Sequence, residues 1–294
     1  MATPAEWIAG ARPRTLPAAA APVLIGTGAA VQGAGWDPSG TRIALPLLAL
    51  GVALSLQIGV NYANDYSDGV RGTDLDRVGP LRLTAAGLAP PGHVRYAAFA
   101  AFGVGSLFGL AIVILTGSIW LLAVGAAAIA AAWYYTGGRR PYGYAGFGEI
   151  AVFVFFGLVA VLGSTYTQID RITWPAIAGA IGAGLLACAL LMVNNLRDIP
   201  TDALVGKRTL AVRIGDHRTR RGYAAMITLP LVLAMTCAFV APWSLLTLLL
   251  ALPVALLSIA VLAGARGIAL IPVLAGTGLL ELAYGVLLGL GLAL

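Results

Sequence analysis

The sequence predicts an all-α polytopic membrane protein with a bundle of about nine transmembrane helices. Hydrophobic residues make up 60% of the chain and charged residues only 10%, and the mean hydropathy is +0.91. This composition is typical of a chain surrounded mostly by lipid. Apolar runs recur along its whole length, each close to the ~20 residues that cross a bilayer as a helix. Two clusters of acidic residues, in a chain that otherwise has few, stand at the ends of such runs.

The apolar runs define the predicted spans. They cover residues 16–33, 43–62, 94–115, 119–135, 147–168, 174–195, 223–240, 243–263 and 268–292. The short breaks near Gly117, Pro242 and Gly267 leave a count of eight or ten open, because a long apolar run can tilt or break. No linker or low-complexity tract divides the chain, so we expect residues 1–294 to form a single domain.

The residues before the first span predict a short helix at the membrane surface. Thr3 and Glu6 have the spacing of a capping box, and Pro4 fits the first helical position. Glu6 and the Arg-Pro-Arg at 12–14 interrupt any early apolar region, which argues against a cleavable signal. We therefore expect the first span itself to act as a membrane anchor.

The basic residues predict the orientation. On this layout only Arg42 and Arg171 fall on one side, and the other Lys and Arg residues fall on the opposite side. The positive-inside rule makes the basic side cytoplasmic, with the amino terminus inside and the carboxyl terminus outside. The net charge of +6 thus follows from topology. Nucleic-acid binding is not expected, since no aromatic-basic recognition module is present.

Two acidic clusters extend the second and sixth spans. The first contains Asn61, Asn64, Asp65 and Asp68, and the second contains Asn194, Asn195, Asp198 and Asp202. Within each cluster a helical spacing of three or four residues gathers the oxygens on one face. Helix parity places both clusters at the same membrane surface. Three polar segments lie at that surface, and they cover residues 63–93, 136–146 and 196–222. We therefore expect the functional site to face the cytoplasm.

The chemistry of these clusters favours a divalent cation. A lone Asp at a helix end is usually a cap or a solvated charge, but two matched sets beside hydrocarbon have no common structural reason to exist. If the two helices are neighbours, their oxygens suit Mg²⁺, which binds through one or two carboxylates and substrate phosphates. Asp74, in a loop with Gly72, is more readily explained as loop charge than as a ligand.

Nearby cations predict that the substrate carries a diphosphate. The candidate diphosphate-binding residues are Asn64, Arg71, Arg82, Arg140, Lys207 and Arg208. Arginine forks and the lysine point charge both suit phosphate oxygens, and the apolar helices suit a hydrocarbon tail. Such a site would ionise an allylic diphosphate. For any one of these cations, membrane topology alone is the alternative explanation.

Four segments resemble the UbiA superfamily of intramembrane prenyltransferases. They are residues 7–17, 64–82, 135–144 and 194–215, and the last three are specific. A frequently quoted first motif of that superfamily carries a third Asp, where this chain has Gly72 with Asp74 beyond it. This spacing fits the naphthoate branch of menaquinone synthesis better than the 4-hydroxybenzoate branch.

The resemblance implies a bundle around a cavity open to the cytoplasmic side, in the cell membrane. It also implies Mg²⁺, a polyprenyl diphosphate donor and a 1,4-dihydroxy-2-naphthoate acceptor that loses its carboxylate. The acidic ligands would be Asp65, Asp68, Asp198 and Asp202. Residues expected to line the acceptor and prenyl sites are Asn61, Tyr62, Tyr135, Tyr142, Tyr144, Arg12, Arg14, Asn194 and Asn195. Arg12 or Arg14 would meet the acceptor carboxylate, and the tyrosines would face the prenyl cation or the acceptor, unless they are membrane-interface anchors.

Three other functions stay open from the sequence. Another aromatic acceptor, such as 4-hydroxybenzoate, would keep the metal site and change the loop of tyrosines and arginines. A phosphoalcohol phosphotransferase would carry its acids compactly within one segment. A secondary transporter would place charged groups near the bilayer midplane, whereas here they stand at the inner rim. Oligomeric state is not predicted.

Overall fold

The computed structural model describes residues 2–37, 40–72 and 81–294, and over that part of the chain the regular structure is helical throughout. The α-helices are α1 (Pro4–Gly10), α2 (Leu16–Ala34), α3 (Gly40–Arg71), α4 (Pro91–Thr116), α5 (Leu121–Tyr134), α6 (Gly148–Val152), α7 (Ala160–Ile169), α8 (Trp174–Leu204), α9 (Leu210–Ile214), α10 (Asp216–Cys237), α11 (Ala251–Leu262) and α12 (Leu270–Ala293). A π-helical segment, Phe153–Val159, joins α6 to α7 without a break. Short 3₁₀ helices cover Pro13–Thr15, Tyr142–Ala145, Pro242–Leu250 and Gly267–Ala269.

The predicted membrane class is confirmed. Seven helical segments of the described chain are long and apolar enough to cross a bilayer. They are Pro4–Ala34, Ile43–Arg71, Pro91–Thr116, Gly148–Ile169, Trp174–Leu204, Pro242–Leu262 and Gly267–Ala293. The two other predicted spans fall on α5, which is shorter, and on α10, which begins with charged residues. The count of nine therefore stays a prediction.

The amino-terminal capping box forms as the sequence predicts. The backbone N–H of Thr3 donates to Glu6 Oε2 at 2.6 Å, and the N–H of Glu6 donates to Thr3 Oγ1 at 3.3 Å. Pro4 occupies the start of α1, where no backbone donor is needed. After Gly10 the chain turns sharply at Arg12 into the 3₁₀ segment that leads into α2. This turn, residues 11–15, is called the elbow below.

Helix α8 lies at the centre of the bundle. It packs against α10, α12, α2 and the π-helical segment, and most of its residues are buried. Small residues allow a close approach: a Cβ on Gly157 would lie 2.6 Å from the carbonyl oxygen of Ala180 and 2.7 Å from Gly184 Cα. Close contacts between small residues are a common way to associate helices in lipid. Helix α8 thus holds the second acidic cluster on a rigid, central support.

Two long helices position the acidic clusters. Helix α3 continues nine residues beyond its predicted apolar run, to Arg71, and α8 continues to Leu204. Both clusters therefore lie on helices rather than in loops. The segments 81–90, 135–147 and 205–209 fold over these helix ends. The polar end of the bundle is built from these pieces.

Candidate active site

A large cavity connects both acidic clusters to an apolar interior. Its volume is about 1140 Å³. The apolar part of its wall comes mainly from α2, α3, α4, α5, α7, α8 and the π-helical segment. The predicted site residues that line it are Arg12, Arg14, Asn61, Asn64, Asp68, Arg82, Tyr135, Tyr142, Tyr144, Asn194, Asn195, Asp198, Asp202 and Lys207. The two clusters therefore face the same space.

Asp68 is the point at which the polar segments meet. Its carboxylate accepts a short hydrogen bond from the Tyr144 hydroxyl. Arg82 Nη2 lies 3.5 Å from one carboxylate oxygen, and Lys207 Nζ lies 3.8 Å from the other. All three charged side chains are nearly buried, with 4% to 10% of their side-chain surface exposed. Because Asp68 belongs to α3 and Lys207 follows α8, this contact joins the two helix ends.

The loop between α5 and α6 braces the first cluster. Thr136 Oγ1 donates to Asn64 Oδ1 at 2.7 Å, and Arg71 donates to the backbone carbonyls of Thr136 and Gly138. Lys207 Nζ stands 4.6 Å from the ring centre of Tyr144, in the geometry of a cation–π contact. The loop, α3 and the segment after α8 are thus fixed to one another.

The second acidic cluster is hydrogen-bonded to Arg197, which was not among the predicted site residues. Arg197 donates two hydrogen bonds to Asp198, from Nε to Oδ1 at 2.7 Å and from Nη2 to Oδ2 at 2.8 Å. The same guanidinium reaches Asn194 Oδ1 at 2.9 Å. Deeper in the wall, Asn195 Nδ2 donates to Glu149 Oε1 at 3.1 Å. The i, i+3 spacing of Asn194 and Arg197 was the available signal.

Asp65 is not among the described residues that line the cavity. It is 1% exposed, and its two oxygens accept the backbone N–H groups of Leu83 at 2.7 Å and Thr84 at 2.9 Å. Asp65 keeps its helical spacing to Asn61 and Asp68 on α3, but its carboxylate is hydrogen-bonded to the backbone of the segment 81–90 and does not line the cavity. Its contacts hold the segment 81–90 against α3. A metal-binding role for Asp65 remains a prediction, without support from this geometry.

Four more predicted residues lie away from the cavity wall. Tyr62 is buried against Trp7 and donates its hydroxyl to the Trp7 carbonyl at 2.8 Å, so it fixes α1 instead. Arg140 and Arg208 are exposed at the polar end, and the backbone N–H of Arg208 donates to the Tyr144 carbonyl at 2.8 Å. Arg71 is held by the backbone contacts described above. Diphosphate contact by these arginines stays a prediction.

The tyrosines have distinct surroundings. Burial raises the pKa of Tyr142 to about 12, and its hydroxyl donates to the Ala131 carbonyl at 2.7 Å. Tyr142 is therefore a neutral, positioned wall residue and not a proton acceptor near neutral pH. Tyr135 meets Tyr142 edge to face, with ring centres 5.6 Å apart. The two rings give the polar rim an aromatic side.

The donor groups of the rim fit a hard cation that is shared with substrate. No group of three or more Asp, Glu, His or Cys side chains in the described ranges is close enough to chelate a metal alone. Asp68, Asp198 and Asp202 face the cavity from two helices, accompanied by the amides of Asn64 and Asn194. An all-oxygen set that leaves coordination positions open matches Mg²⁺. Asp74 lies in 73–80, outside the described residues.

A charged rim over a long apolar cavity defines a membrane-embedded enzyme that acts on a lipid with an anionic headgroup. The chain matches the UbiA prenyltransferase family over residues 19–269, and it belongs to that family.

The comparisons agree on the fold and on the family. The chain is 53% identical over 287 residues to the 1,4-dihydroxy-2-naphthoate octaprenyltransferase of Mycobacterium tuberculosis (strain ATCC 25618 / H37Rv). The aligned region covers 97% of this chain and 95% of that protein. The apo structure of a UbiA homolog from Aeropyrum pernix K1 superposes with a TM-score of 0.67 at 14% identity, over 93% and 96% of the two chains. A UbiA homolog from Archaeoglobus fulgidus bound to DMAPP and Mg²⁺ gives a TM-score of 0.60 at 15% identity, over 98% and 99%.

Proposed function

We propose that this chain transfers a polyprenyl group from polyprenyl diphosphate to 1,4-dihydroxy-2-naphthoate, in a Mg²⁺-dependent step of menaquinone biosynthesis. The product is demethylmenaquinol, or demethylmenaquinone after oxidation. The observation that carries the proposal is the meeting of Asp68, Arg82 and Lys207 at the mouth of an apolar cavity. The similarity to the mycobacterial enzyme named above supports the choice of acceptor.

The rim residues bind the diphosphate of the donor. Lys207 and Arg82 lie together on Asp68, so their positive charges are already gathered before substrate arrives. Asp198 and Asp202 face them across the cavity. Mg²⁺ held by these carboxylates would neutralise the diphosphate and so make it a better leaving group. Because these groups are fixed in place, little reorganisation is needed when charge develops on the leaving group.

The apolar wall holds the prenyl chain and excludes water. Helices α3, α4 and α5, with the π-helical segment, present mainly Val, Leu, Ile, Ala and Phe to the cavity. This surface stabilises an isoprenoid tail by burial. It also protects a cationic allylic group from hydrolysis. The rings of Tyr135 and Tyr144 face the same space and can stabilise that cation.

The bonds balance without an oxidant. The allylic carbon–oxygen bond breaks, and its electron pair leaves with the diphosphate. The electron-rich ring carbon that bears the acceptor's carboxylate forms the new carbon–carbon bond. Loss of CO₂ then returns an electron pair to the ring and restores aromaticity. The step as written needs no covalent intermediate with the protein, whose role is to bind and orient the two substrates.

The proposal includes the cellular setting. The distribution of basic residues supports a rim on the cytoplasmic side of the cell membrane, where a charged aromatic acid and a diphosphate have access from water. Residues 1–294 act as one intramembrane domain, and the partners are the two substrates and membrane lipid. The alternative is a UbiA-type enzyme with another aromatic acceptor such as 4-hydroxybenzoate.

The test is a direct assay of the purified full chain. It is incubated with Mg²⁺, a polyprenyl diphosphate and either 1,4-dihydroxy-2-naphthoate or 4-hydroxybenzoate, and the prenylated product is read by mass. We expect product and diphosphate release only with the naphthoate, and neither after EDTA. Asp198→Asn removes a rim carboxylate and should reduce turnover by at least about 100-fold. Full turnover in that variant, or product only from 4-hydroxybenzoate, would refute the assignment.

A further inference from the structure

The elbow holds Arg12 in a backbone conformation that arginine rarely adopts. Its φ is 54° and its ψ is 68°, in the left-handed region. Asp170 is the other non-glycine residue with positive φ in the described ranges, and aspartate tolerates that region better. For an ordinary side chain this conformation is unfavourable, because Cβ comes too close to the following carbonyl oxygen. Such strain often marks a functional site. Glycine would fit this position with less strain, so the arginine side chain itself needs an explanation.

Polar side chains from α3 fix this elbow. Thr15 Oγ1 donates to the Arg12 carbonyl at 2.9 Å and accepts hydrogen bonds from Gln57 Nε2 and Asn61 Nδ2, each at 2.9 Å. Asn61 Nδ2 also donates to the Ala11 carbonyl at 2.9 Å. Gln57 and Asn61 are 7% and 3% exposed. The buried amides thus hold the Ala11 carbonyl and the Thr15 hydroxyl, and Thr15 in turn holds the Arg12 carbonyl, so the backbone that carries the Arg12 side chain is fixed to α3.

The Arg12 side chain reaches the cavity. Its Nε and Nη2 atoms are shielded from solvent, and the residue lines the cavity. Arg14 also lines the cavity but is exposed. Asn61, which holds the elbow, precedes Asp68 by seven residues on α3, about 10 Å along the helix axis. The positions on α3 that hold the elbow and the acidic rim are therefore separated along the helix axis.

We propose that Arg12 binds the carboxylate of the aromatic acceptor, and that Thr15, Gln57 and Asn61 position it. This inference rests on the proposed function and selects one of the two elbow arginines. The planar guanidinium pairs with a carboxylate through two parallel hydrogen bonds, which fixes the plane of the acceptor ring as well as its location. The strained backbone of the elbow directs the Arg12 guanidinium to this carboxylate-binding position in the cavity.

The experiment uses two redox-stable probes that differ by one carboxylate. Binding of 1-hydroxy-2-naphthoate and of 1-naphthol to the full chain in nanodiscs is measured without Mg²⁺ or donor, for example by tryptophan fluorescence. We expect the wild type to bind the carboxylate probe more tightly. Arg12→Gly should weaken that probe by about 10- to 100-fold, the range expected for a charge-assisted pair, and should leave 1-naphthol unchanged. Relief of the backbone strain should keep this variant at least as stable as wild type.

Two further variants separate binding from positioning. Thr15→Val removes the elbow hydroxyl at nearly constant size and should weaken the carboxylate probe by about 3- to 10-fold, again without effect on 1-naphthol. Arg221→Gln removes an exposed charge at the start of α10 and should bind both probes as wild type does. The KM for polyprenyl diphosphate should be unchanged in Arg12→Gly.

The outcomes distinguish this inference from the function on which it rests. If Arg12→Gly keeps the wild-type preference for the carboxylate probe, Arg12 is not its ligand and the inference fails, while the proposed function stands. If Thr15→Val weakens both probes equally, the positioning role of the α3 network fails. If the wild type binds neither naphthalene compound, the proposed acceptor class itself fails.

Discussion

Replacement of Asp65 by asparagine tests whether this carboxylate supports the fold, in contrast to the carboxylate of Asp68, which we assign to substrate binding. Asp65 accepts backbone N–H groups from Leu83 and Thr84, whereas Asp68 faces the cavity with Arg82 and Lys207. Sequence alone treats the two acids as equivalent metal ligands. We expect Asp65→Asn to lower the stability of the protein more than Asp68→Asn does.

The magnitude follows from the two hydrogen bonds. A hydrogen bond to a charged group contributes about 1.5–3 kcal/mol, and a neutral one about 0.5–1.5 kcal/mol. The side-chain amide introduced by Asp65→Asn can accept one of the two N–H groups and turns its own NH₂ toward the other. That leaves one buried donor without an acceptor, which adds about 1–3 kcal/mol. We therefore expect a loss of about 2–4 kcal/mol, or roughly 5–15 °C in melting temperature.

The assay is thermal unfolding in detergent, with Asp68→Asn as the matched control. In that variant the amide oxygen can still accept from Tyr144. The contacts to Arg82 and Lys207 are long, at 3.5 Å and 3.8 Å, so we expect a smaller shift in melting temperature. Binding of polyprenyl diphosphate should show the reverse order, with the larger loss in Asp68→Asn. The reasoning is refuted if Asp65→Asn melts with wild type, or if Asp68→Asn is the less stable of the two.

Three other predictions concern charge elsewhere in the chain. Glu281 is fully buried in α12, and neither carboxyl oxygen has a hydrogen-bond partner within the described structure, so Glu281→Met should raise the melting temperature by removing a desolvation cost of about 1–3 kcal/mol. Hydrogen bonds from Arg220 hold the pKa of Asp216 below its usual value of 3.8. Its contribution to stability is therefore present at neutral pH and lost as the pH falls through the lowered pKa, and the melting difference between wild type and Asp216→Asn should narrow in acid. Lys207→Met removes a cation 3.8 Å from Asp68 and should raise the KM for polyprenyl diphosphate by about 10-fold or more.

Each of these has an outcome that contradicts it. A lower melting temperature for Glu281→Met would indicate that the buried carboxyl is stabilised by a contact that the structure does not show. A melting difference between wild type and Asp216→Asn that grows in acid would contradict a lowered pKa of Asp216. As a control, Arg220→Gln removes the partner and keeps the carboxylate, so it should abolish the acid dependence. An unchanged donor KM in Lys207→Met would remove lysine from the diphosphate site.

The membrane class and most of the rim were predictable from sequence because they depend on local spacing. Apolar length defines the spans, and a spacing of three or four residues places Asn61, Asn64 and Asp68 along one side of α3. Lys207 and Arg82 were recognisable as cations close to acids in the sequence. The capping box at Thr3 was predictable for the same reason, since its partners are only three residues apart.

Helical spacing does not predict the contacts between distant segments, and these contacts set the surroundings of several candidate residues. Asp65 turns toward the backbone at 83–84 because the segment 81–90 packs there, and helical periodicity carries no information on that packing. Arg140 and Arg208 are basic and near the motifs, but whether a long side chain points inward is set by the fold of the loops around it. Arg197 lies in a basic segment, where topology already explains a positive charge, so the sequence does not single it out as a partner of Asp198.

The polar groups along the apolar wall decide between an enzyme and a transporter. A transporter that moves ions or polar solutes places binding groups near the bilayer midplane. Ser106 and Thr167 line the cavity between the membrane surfaces, but each donates to a carbonyl of its own helix, Phe102 and Gly163, at 2.9 Å. Their hydroxyls are thus engaged within the helix, so at these two positions the wall offers no polar group to a ligand. With the charges gathered at the rim, this cavity suits a molecule with one anionic end and one apolar end. We therefore expect proteoliposomes of this protein to release diphosphate on addition of acceptor while accumulating neither substrate, and accumulation without diphosphate release would favour transport.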